Sequence, residues 1–510
     1  MTQRAYLGID SGTQSTKAIL VDDAGNVLGR GQVQYGLIEG LSIGHKEQHP
    51  DTWVEALCTA TADALRAAKL PGSAVEALGV SGQQHGFVPL DGAGEPIRPA
   101  KLWCDTSTAP EAADLIEAAG GRDAAIRETG NAAPAGFTAS KILWLKRHEP
   151  KNFARLHRIL LPHDFLNYWL TGEQAMEHGD ASGTGLLDVR TRQWCEPAMQ
   201  RIDDGLLAKF PPLIHSGGIV GRLRAQAATA LGLRPGIAVS AGGGDNMMGA
   251  IGTGNVLPGV ATVSLGTSGT VYAYSQEPIV DEANGEIAAF CDSTGHWLPL
   301  LCTMNVTAAT QLVKSTFNLN NFKLNRSAES VGPGAGGLML LPYFEGERTP
   351  DVPDGTGVWL GYSKATHTVE HFARAAMEGP SLGLAYGFNR MREMGIAPKE
   401  VRLTGGGSRS PIWRQILADA FDTPVVCTTE AEGAALGAAI QARWAVERER
   451  DAGASIADLC AIHVKLDETT RAVPDAGRVE AYRELLGIHN DLSAALRPVF
   501  ARHRRFVSTR

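Results

Sequence analysis

The chain opens on short apolar runs separated by small polar residues. Tyr6 to Ile9 is apolar and ends on Asp10, Ser11 to Thr16 are small or polar, and after Lys17 a second apolar run covers Ala18 to Val21. Glycine and serine between two β-prone runs predict strand, tight turn, strand. Trp53, Leu57, Ala60, Ala64 and Ala68 recur at helical spacing and predict a helix to Leu70. Val75 to Val80 is a buried-type strand ending in Ser81-Gly82-Gln83-Gln84-His85-Gly86. Helical patterns cover 111–128 and 140–147. Mixed strand and helix character surrounds Pro162-His163-Asp164, and 179–188 reads as a Gly/Ser loop leading to a strand. Ile237 to Ser240 is a predicted strand that opens into Ala241-Gly242-Gly243-Gly244-Asp245-Asn246 and a small-residue helix through Gly252.

The second half repeats this plan. Thr262 to Tyr274 predicts another hairpin, and Ser264-Leu265-Gly266-Thr267-Ser268-Gly269-Thr270 keeps the order of small residues found from Asp10 to Thr16. Strands are predicted near 286–290, 297–301, 338–341 and 401–403, and helices over 305–317, 369–394 and 432–446. The strand at 401–403 ends in Thr404-Gly405-Gly406-Gly407-Ser408, much as the strand at 75–80 ends in Ser81-Gly82. Two related hairpins nearly half a chain apart predict two related α/β domains, each offering a loop to a shared cleft. The helix starts at 248–252 and 433–439 are rich in Gly and Ala, so these helices could cross closely, as a hinge would need. From Glu447 onward the chain is more charged and helical, a peripheral cap with a frayed basic tail, His503-Arg504-Arg505.

With 510 residues the chain is too long for one core, which agrees with two large domains. Its 59 glycines, roughly 12% against about 7% on average, suit many tight turns and close backbone approaches. A net charge of −8 argues against nucleic acid or an anionic membrane as the main partner. The seven cysteines are scattered, odd in number and without a CxxC, which argues for a reducing compartment and against a structural zinc site. No run of 18 apolar residues occurs and the early Asp10 leaves no room for a signal segment, so a cytoplasmic protein is expected. His367 and His371, four apart without a third ligand, read as surface residues.

The first loop suits a phosphate. Gly12 admits a close ligand, Thr13, Ser15 and Thr16 offer hydroxyls, and turn amides can form an anion-binding concavity. A carboxylate beside an anion site implies a cation between them, so Asp10 suggests Mg²⁺. The second loop carries Ser264 in place of Asp10, which confines the metal carboxylate to the first half. Trp103 and Asp105, with His85, form the pairing of aromatic face and polar groups that sugars favour. Asp245 has two readings: a helix N-cap, which would lower its pKa, or a general base for a substrate hydroxyl. The glycines at 405–407 would let a flat or phosphate-bearing ligand lie against the backbone.

Taken in order, GIDSGTQSTK (8–17), SGQQHG (81–86), LWCD (102–105), GFTASKILWLKRHEP (136–150), AGGGDN (241–246), SLGTSG (264–269), LPYFEGERTP (341–350) and LTGGGSR (403–409) resemble the FGGY carbohydrate kinases, and within them the xylulokinase group. That resemblance covers nearly the whole chain. It implies an α/β fold of two actin/hexokinase-like (ribonuclease H-like) domains with a central cleft. The domains would be an N-terminal sugar-binding and catalytic domain over 1–252, a nucleotide-binding domain over 253–446 and a helical extension over 447–510. The implied activity is ATP-dependent phosphorylation of D-xylulose, with ATP and Mg²⁺ as cofactors. It makes Asp245 the proton acceptor and Asp10 the support for Mg²⁺ and phosphates. Gln84, His85, Trp103, Asp105 and Asn246 would contact the sugar. Gly12, Thr13, Gln14, Ser15, Gly266, Thr267 and Gly405, Gly406 and Gly407 would contact the nucleotide. Gln84 stands where several xylulokinases have Met, and no Arg-Glu pair typical of glycerol kinases occurs here. Expected partners are the sugar and ATP, with a homodimer as one open arrangement. A kinase for another ketose or polyol, such as ribulose, and a non-catalytic sugar or nucleotide sensor are the competing readings. A sensor would be expected to lose Asp10 or Asp245, and both are present.

Overall fold

The structure, a computed structural model, describes residues 4–508. It divides into two units. The first comprises the residues up to Leu257, Tyr274–Pro299 and Glu432–Lys465; the second comprises Pro258–Ala273, Leu300–Ala431 and the residues from Leu466 onward.

The first unit is built on a mixed sheet. Its strands run, in spatial order, Ile219–Arg222, Ala238–Ser240, Val75–Gly82, Ala5–Ser11, Ser15–Asp22 and Val27–Gln34, with the short Gly243–Gly244 also paired to Val75–Gly82. The last three strands form an antiparallel meander, Ala5–Ser11 and Ala238–Ser240 each pair parallel to Val75–Gly82, and the far edge is antiparallel. The second unit repeats this pattern of directions. Leu300–Thr303, Gly269–Ala273 and Val260–Leu265 form the meander, Glu400–Thr404 and Val425–Thr428 continue in parallel, and Leu466–Ala472 closes the edge antiparallel. The duplication read from the two hairpins is therefore a duplication of sheet topology. The loops differ by one residue, however. Asp10 faces Lys17 and Ser11 faces Thr16, whereas Ser264 faces Thr270 and Leu265 faces Gly269.

Within the first unit, the helix Gly433–Arg450 lies on the sheet at backbone contact. A Cβ on Gly8 would fall 1.9 Å from the Ala435 carbonyl oxygen, and one on Gly437 would fall 1.8 Å from that of Met248. The expected close crossing with the helix Asp245–Gly252 is present, but both helices belong to the first unit, so the crossing binds that unit together and is not a hinge.

Several local expectations are corrected. The helical pattern over 111–128 breaks at Gly120-Gly121 into Ala109–Ala118 and Arg122–Thr129, because both glycines sit at positive φ. The stretch 286–290 makes no named strand. Residues 178–182 form a short helix capped by Glu177, whose side chain accepts from the Gly179 and Asp180 amides. The tail is not frayed: the helix Ala476–Ser508 runs through Arg504 and Arg505. All seven cysteines are free thiols, and among the described residues no helix is long and apolar enough to cross a membrane.

Candidate active site

Asp10 stands at the end of the central strand, beside Ser81 of its parallel neighbour, whose hydroxyl donates to Asp10 Oδ1 at 2.8 Å. Burial raises the Asp10 pKa, against the opposing pull of that hydrogen bond and of Lys17. Lys17, facing Asp10 across the hairpin, is itself tied to Glu432 at 2.5 Å. A carboxylate held by one oxygen, in a setting that disfavours its bare charge, fits a divalent cation.

The glycine run before Asp245 is packed against other parts of the protein and does not face open space. Gly243 and Gly244 pair with Ser81 and Gly82, and a Cβ on Gly244 would lie 2.5 Å from Gln84 Cγ. Gly244, not Asp245, is the N-cap of the helix Asp245–Gly252. Asp245 Oδ1 accepts from the Asn246 amide at 2.8 Å and from Asn246 Nδ2 at 3.0 Å. Its pKa is not lowered, as an N-cap would have it, but raised to about 8, first by burial, then by the charges of Asp10 and Asp180. A carboxyl with its pKa in this range has the acidity that general-base chemistry near neutral pH requires.

Asn246 Nδ2 also donates to Gln84 Oε1 at 2.8 Å, which joins Gln84 to the base, while Gln84 Nε2 is buried with no protein partner. His85 turns the chain at φ +63°. A non-glycine residue there costs about 1–3 kcal/mol and needs support from outside. The Thr138 hydroxyl and Lys141 Nζ supply it, each donating to the His85 carbonyl at 3.1 Å, and the ring stacks on Phe137 at 4.7 Å. Lys141 is fully buried, and burial brings its pKa down to about 7.

Trp103 Nε1 donates to Thr13 Oγ1 at 2.9 Å, and Thr13 donates onward to Gln83 Oε1 at 3.1 Å. Gln83 in turn donates to Gln48, whose own amide holds the Thr13 and Gly36 carbonyls. The Thr13 hydroxyl thus orients Trp103 toward the first loop. Gly12 donates its amide to the Ser15 carbonyl, and Gln14 is exposed. This hairpin lines a cavity of about 1070 Å³ with residues through Lys46. Asp105 is enclosed: its oxygens accept from the Lys46 amide, Lys101 Nζ, and the amide and hydroxyl of Ser107. His45, Glu47 and Asp105 converge as metal ligands would, but the Lys101 ammonium stands among them, 3.1 Å from both carboxylates and 3.2 Å from His45 Nδ1.

In the second unit, the Gly266 and Thr267 carbonyls accept from Thr307 and Val306, which anchors the helix Thr307–Phe317. Gly405 has φ +81°, and a Cβ there would meet Leu265 backbone at 2.7 Å, whereas Gly406 faces open space. Gly407 is buried against Leu265. Glu347, deeply buried, accepts from the Met304 and Arg348 amides and has its pKa raised to about 6 by burial.

Sequence reasoning missed a buried ionic group whose Asp180 acts on Asp245 through its charge. His163 Nδ1 lies 2.8 Å from Asp180 Oδ2 and Nε2 lies 3.0 Å from Asp164 Oδ1; these carboxylates raise the histidine pKa well above its usual value. Asp180 also accepts the His85 amide. The only local signal was Pro162-His163-Asp164 itself, where proline opens the helix Pro162–Thr171.

Of the expected sugar-site residues, Gln84 is joined through Asn246 to Asp245, and Trp103 is joined to the first loop through Thr13. Comparison with known proteins identifies the family. Residues 5–252 match the FGGY family of carbohydrate kinases, N-terminal domain, and 261–446 match its C-terminal domain. The chain is 42% identical to a xylulose kinase from Haemophilus influenzae over 94% of this chain and 97% of that one. It is similar to the crystal structure of a xyloylose kinase from Brucella ovis (31% identity, TM-score 0.89, covering 97% of this chain and all of that one). A gluconate kinase from Lactobacillus acidophilus superimposes with a TM-score of 0.89 at 22% identity, covering 98% of this chain and all of that one, so it shares the fold. With both of its domains matched and the two-domain actin/hexokinase-like fold in place, the chain belongs to the FGGY family of carbohydrate kinases.

Proposed function

We propose that this enzyme transfers the γ-phosphoryl group of ATP to the terminal hydroxyl of D-xylulose, giving D-xylulose 5-phosphate and ADP. The observation that carries the reading is Asp245, a half-buried carboxylate with its pKa raised to about 8, hydrogen-bonded to Asn246 and through it to Gln84. The relatives named xylulose kinase support the choice of sugar. Phosphoryl transfer passes through a loose transition state, so the protein contributes mainly positioning and charge stabilisation. Asp245 aligns the hydroxyl and takes its proton as the new O–P bond forms and the bond to ADP breaks. Trp103, fixed by Thr13, offers an aromatic face to the sugar carbons. Gln84, His85 and Asn246 supply polar contacts, and Asp105 acts indirectly by holding Lys46 and Lys101. Asp10 would hold Mg²⁺, which supplies charge to offset the phosphates. In the first unit Gly12, Gln14 and Ser15 would offer backbone to the nucleotide's phosphates, and in the second unit Gly266, Thr267 and Gly405 to Gly407 would offer nucleotide-facing backbone of their own. A cytoplasmic location follows from this metabolic role.

One observation bears on the choice of sugar. The buried donor Gln84 Nε2 has no protein partner and needs an acceptor, which a hydroxyl of D-xylulose or of another ketose, such as ribulose, would supply. A coupled ADP-release assay over D-xylulose, D-ribulose, L-xylulose, L-ribulose and glycerol decides. D-Xylulose is expected to lead in kcat/KM by roughly tenfold or more, the scale of discrimination a pocket achieves for small differences. A lead for D-ribulose would transfer the assignment to that sugar. ADP release indifferent to every sugar would overturn the kinase reading.

A further inference from the structure

The chain bends at Ala241-Gly242, between the strand Ala238–Ser240 and the short strand Gly243–Gly244 that delivers Asp245. Gly242 has φ +75°, and a Cβ there would lie 2.5 Å from the Val80 carbonyl oxygen. The bend lies outside the sheet's pairing, and its backbone groups need other partners. Gln441 supplies them. It is fully buried on the helix Gly433–Arg450. Its Oε1 accepts from the Gly242 amide and the Ser240 hydroxyl, each at 2.9 Å. Its Nε2 donates to the Gly242 and Ser216 carbonyls, each at 2.9 Å. An amide offers two lone pairs and two protons, and all four are engaged. One side chain thus holds both main-chain groups of Gly242, as a neighbouring strand would. Asn167 holds the adjacent Ala241 carbonyl at 2.8 Å.

The same helix touches the rest of the site. Near its start Gly433 and Gly437 press on the helix that Asp245 begins, Ala435 presses on Gly8 in the strand that carries Asp10, and Glu432 holds Lys17 opposite Asp10. We propose that Gln441 is a positioning residue, which fixes the approach of the chain to Asp245 and so sets that carboxylate in register with Asp10. The inference rests on the reading of Asp245 as the base.

A double-mutant cycle on the full-length enzyme tests it, with kcat measured on D-xylulose and Mg-ATP for wild type, Gln441→Leu, Asp245→Asn and the double variant. Gln441→Leu removes all four bonds and is expected to lower kcat by about 30- to 100-fold, the scale of a displacement near 1 Å, with KM for ATP changed less than about threefold. In the Asp245→Asn background the same substitution is expected to change the residual rate by less than about threefold, since nothing is left for Gln441 to position. A general loosening of the fold would instead lower both backgrounds equally, and that result overturns the proposal. So does a Gln441→Leu enzyme within about threefold of wild type while Asp245→Asn is crippled. An Asp245→Asn enzyme near wild type is the distinct outcome in which the base assignment fails and takes this inference with it. Should Gln441→Leu fail to fold, Gln441→Met, which keeps the side chain's length and removes the same four bonds, carries the same cycle with the same criteria.

Discussion

Replacing Gly437 by alanine offers a test in which the sign itself is informative. In an open helix Gly→Ala gains about 1 kcal/mol, because alanine loses less backbone freedom. At Gly437 the new methyl would lie 1.8 Å from the Met248 carbonyl oxygen, where ordinary contact begins at 3.4 Å. Relief needs the two helices to part by roughly 1.5 Å, an overpacking cost of about 1–3 kcal/mol. Parting also opens a gap along the remaining contact, and a gap of about 0.5–1 Å forfeits a quarter to a half of the dispersion energy there. The net expectation is destabilisation by about 2 kcal/mol, read from the shift in urea midpoint. The moved helix begins at Asp245, so kcat should fall by about 10²-fold. Gly487 is the control: it is exposed on the helix Ala476–Ser508 with nothing near its missing Cβ, and Gly487→Ala should stabilise by about 0.5–1 kcal/mol. A Gly437→Ala enzyme as stable and active as wild type would refute the backbone contact on which this account of the site is built.

Two further outcomes follow from the charged groups. As the proposed base, Asp245 would have to lose its proton first, so kcat/KM for the sugar should rise with pH through about 8. Asp180→Asn removes one of the charges that raise this pKa and should move the limb to lower pH; an unmoved limb would detach the profile from Asp245. Lys101→Met leaves the buried Glu47 and Asp105 carboxylates without their shared cation, and should cost about 3–5 kcal/mol in urea denaturation, a loss below about 1 kcal/mol contradicting the pairing.

What the sequence made legible was local or repeated. The hairpin at Asp10 announces itself by two apolar runs around Gly12, and the second hairpin repeats its order, so the duplicated sheet could be anticipated. The strand ending at Ser81-Gly82 likewise pointed to the turn of Gln84 and His85. What stayed hidden depends on partners distant in the chain. Nothing around Gln441, inside an Ala-rich helix, indicates that its amide clamps Gly242. Lys101 reads as a surface charge until Glu47, Asp105 and the Trp144 ring, 3.9 Å from its Nζ, enclose it. The glycines before Asp245 show no periodic pattern that explains them, yet Gly244 is glycine because Gln84 packs against it. Asp245 suits a helix start by local preference, and only its burial near Asp10 and Asp180 reverses the expected direction of its pKa.

The most direct test of the account is the turnover of Asp245→Ala with D-xylulose and Mg-ATP, beside the binding of the sugar measured by calorimetry. Loss of a general base is expected to lower kcat by about 10²–10⁴-fold while sugar affinity stays within about tenfold. An Asp245→Ala enzyme turning over near the wild-type rate would contradict the assignment of this carboxylate as the group that accepts the hydroxyl proton.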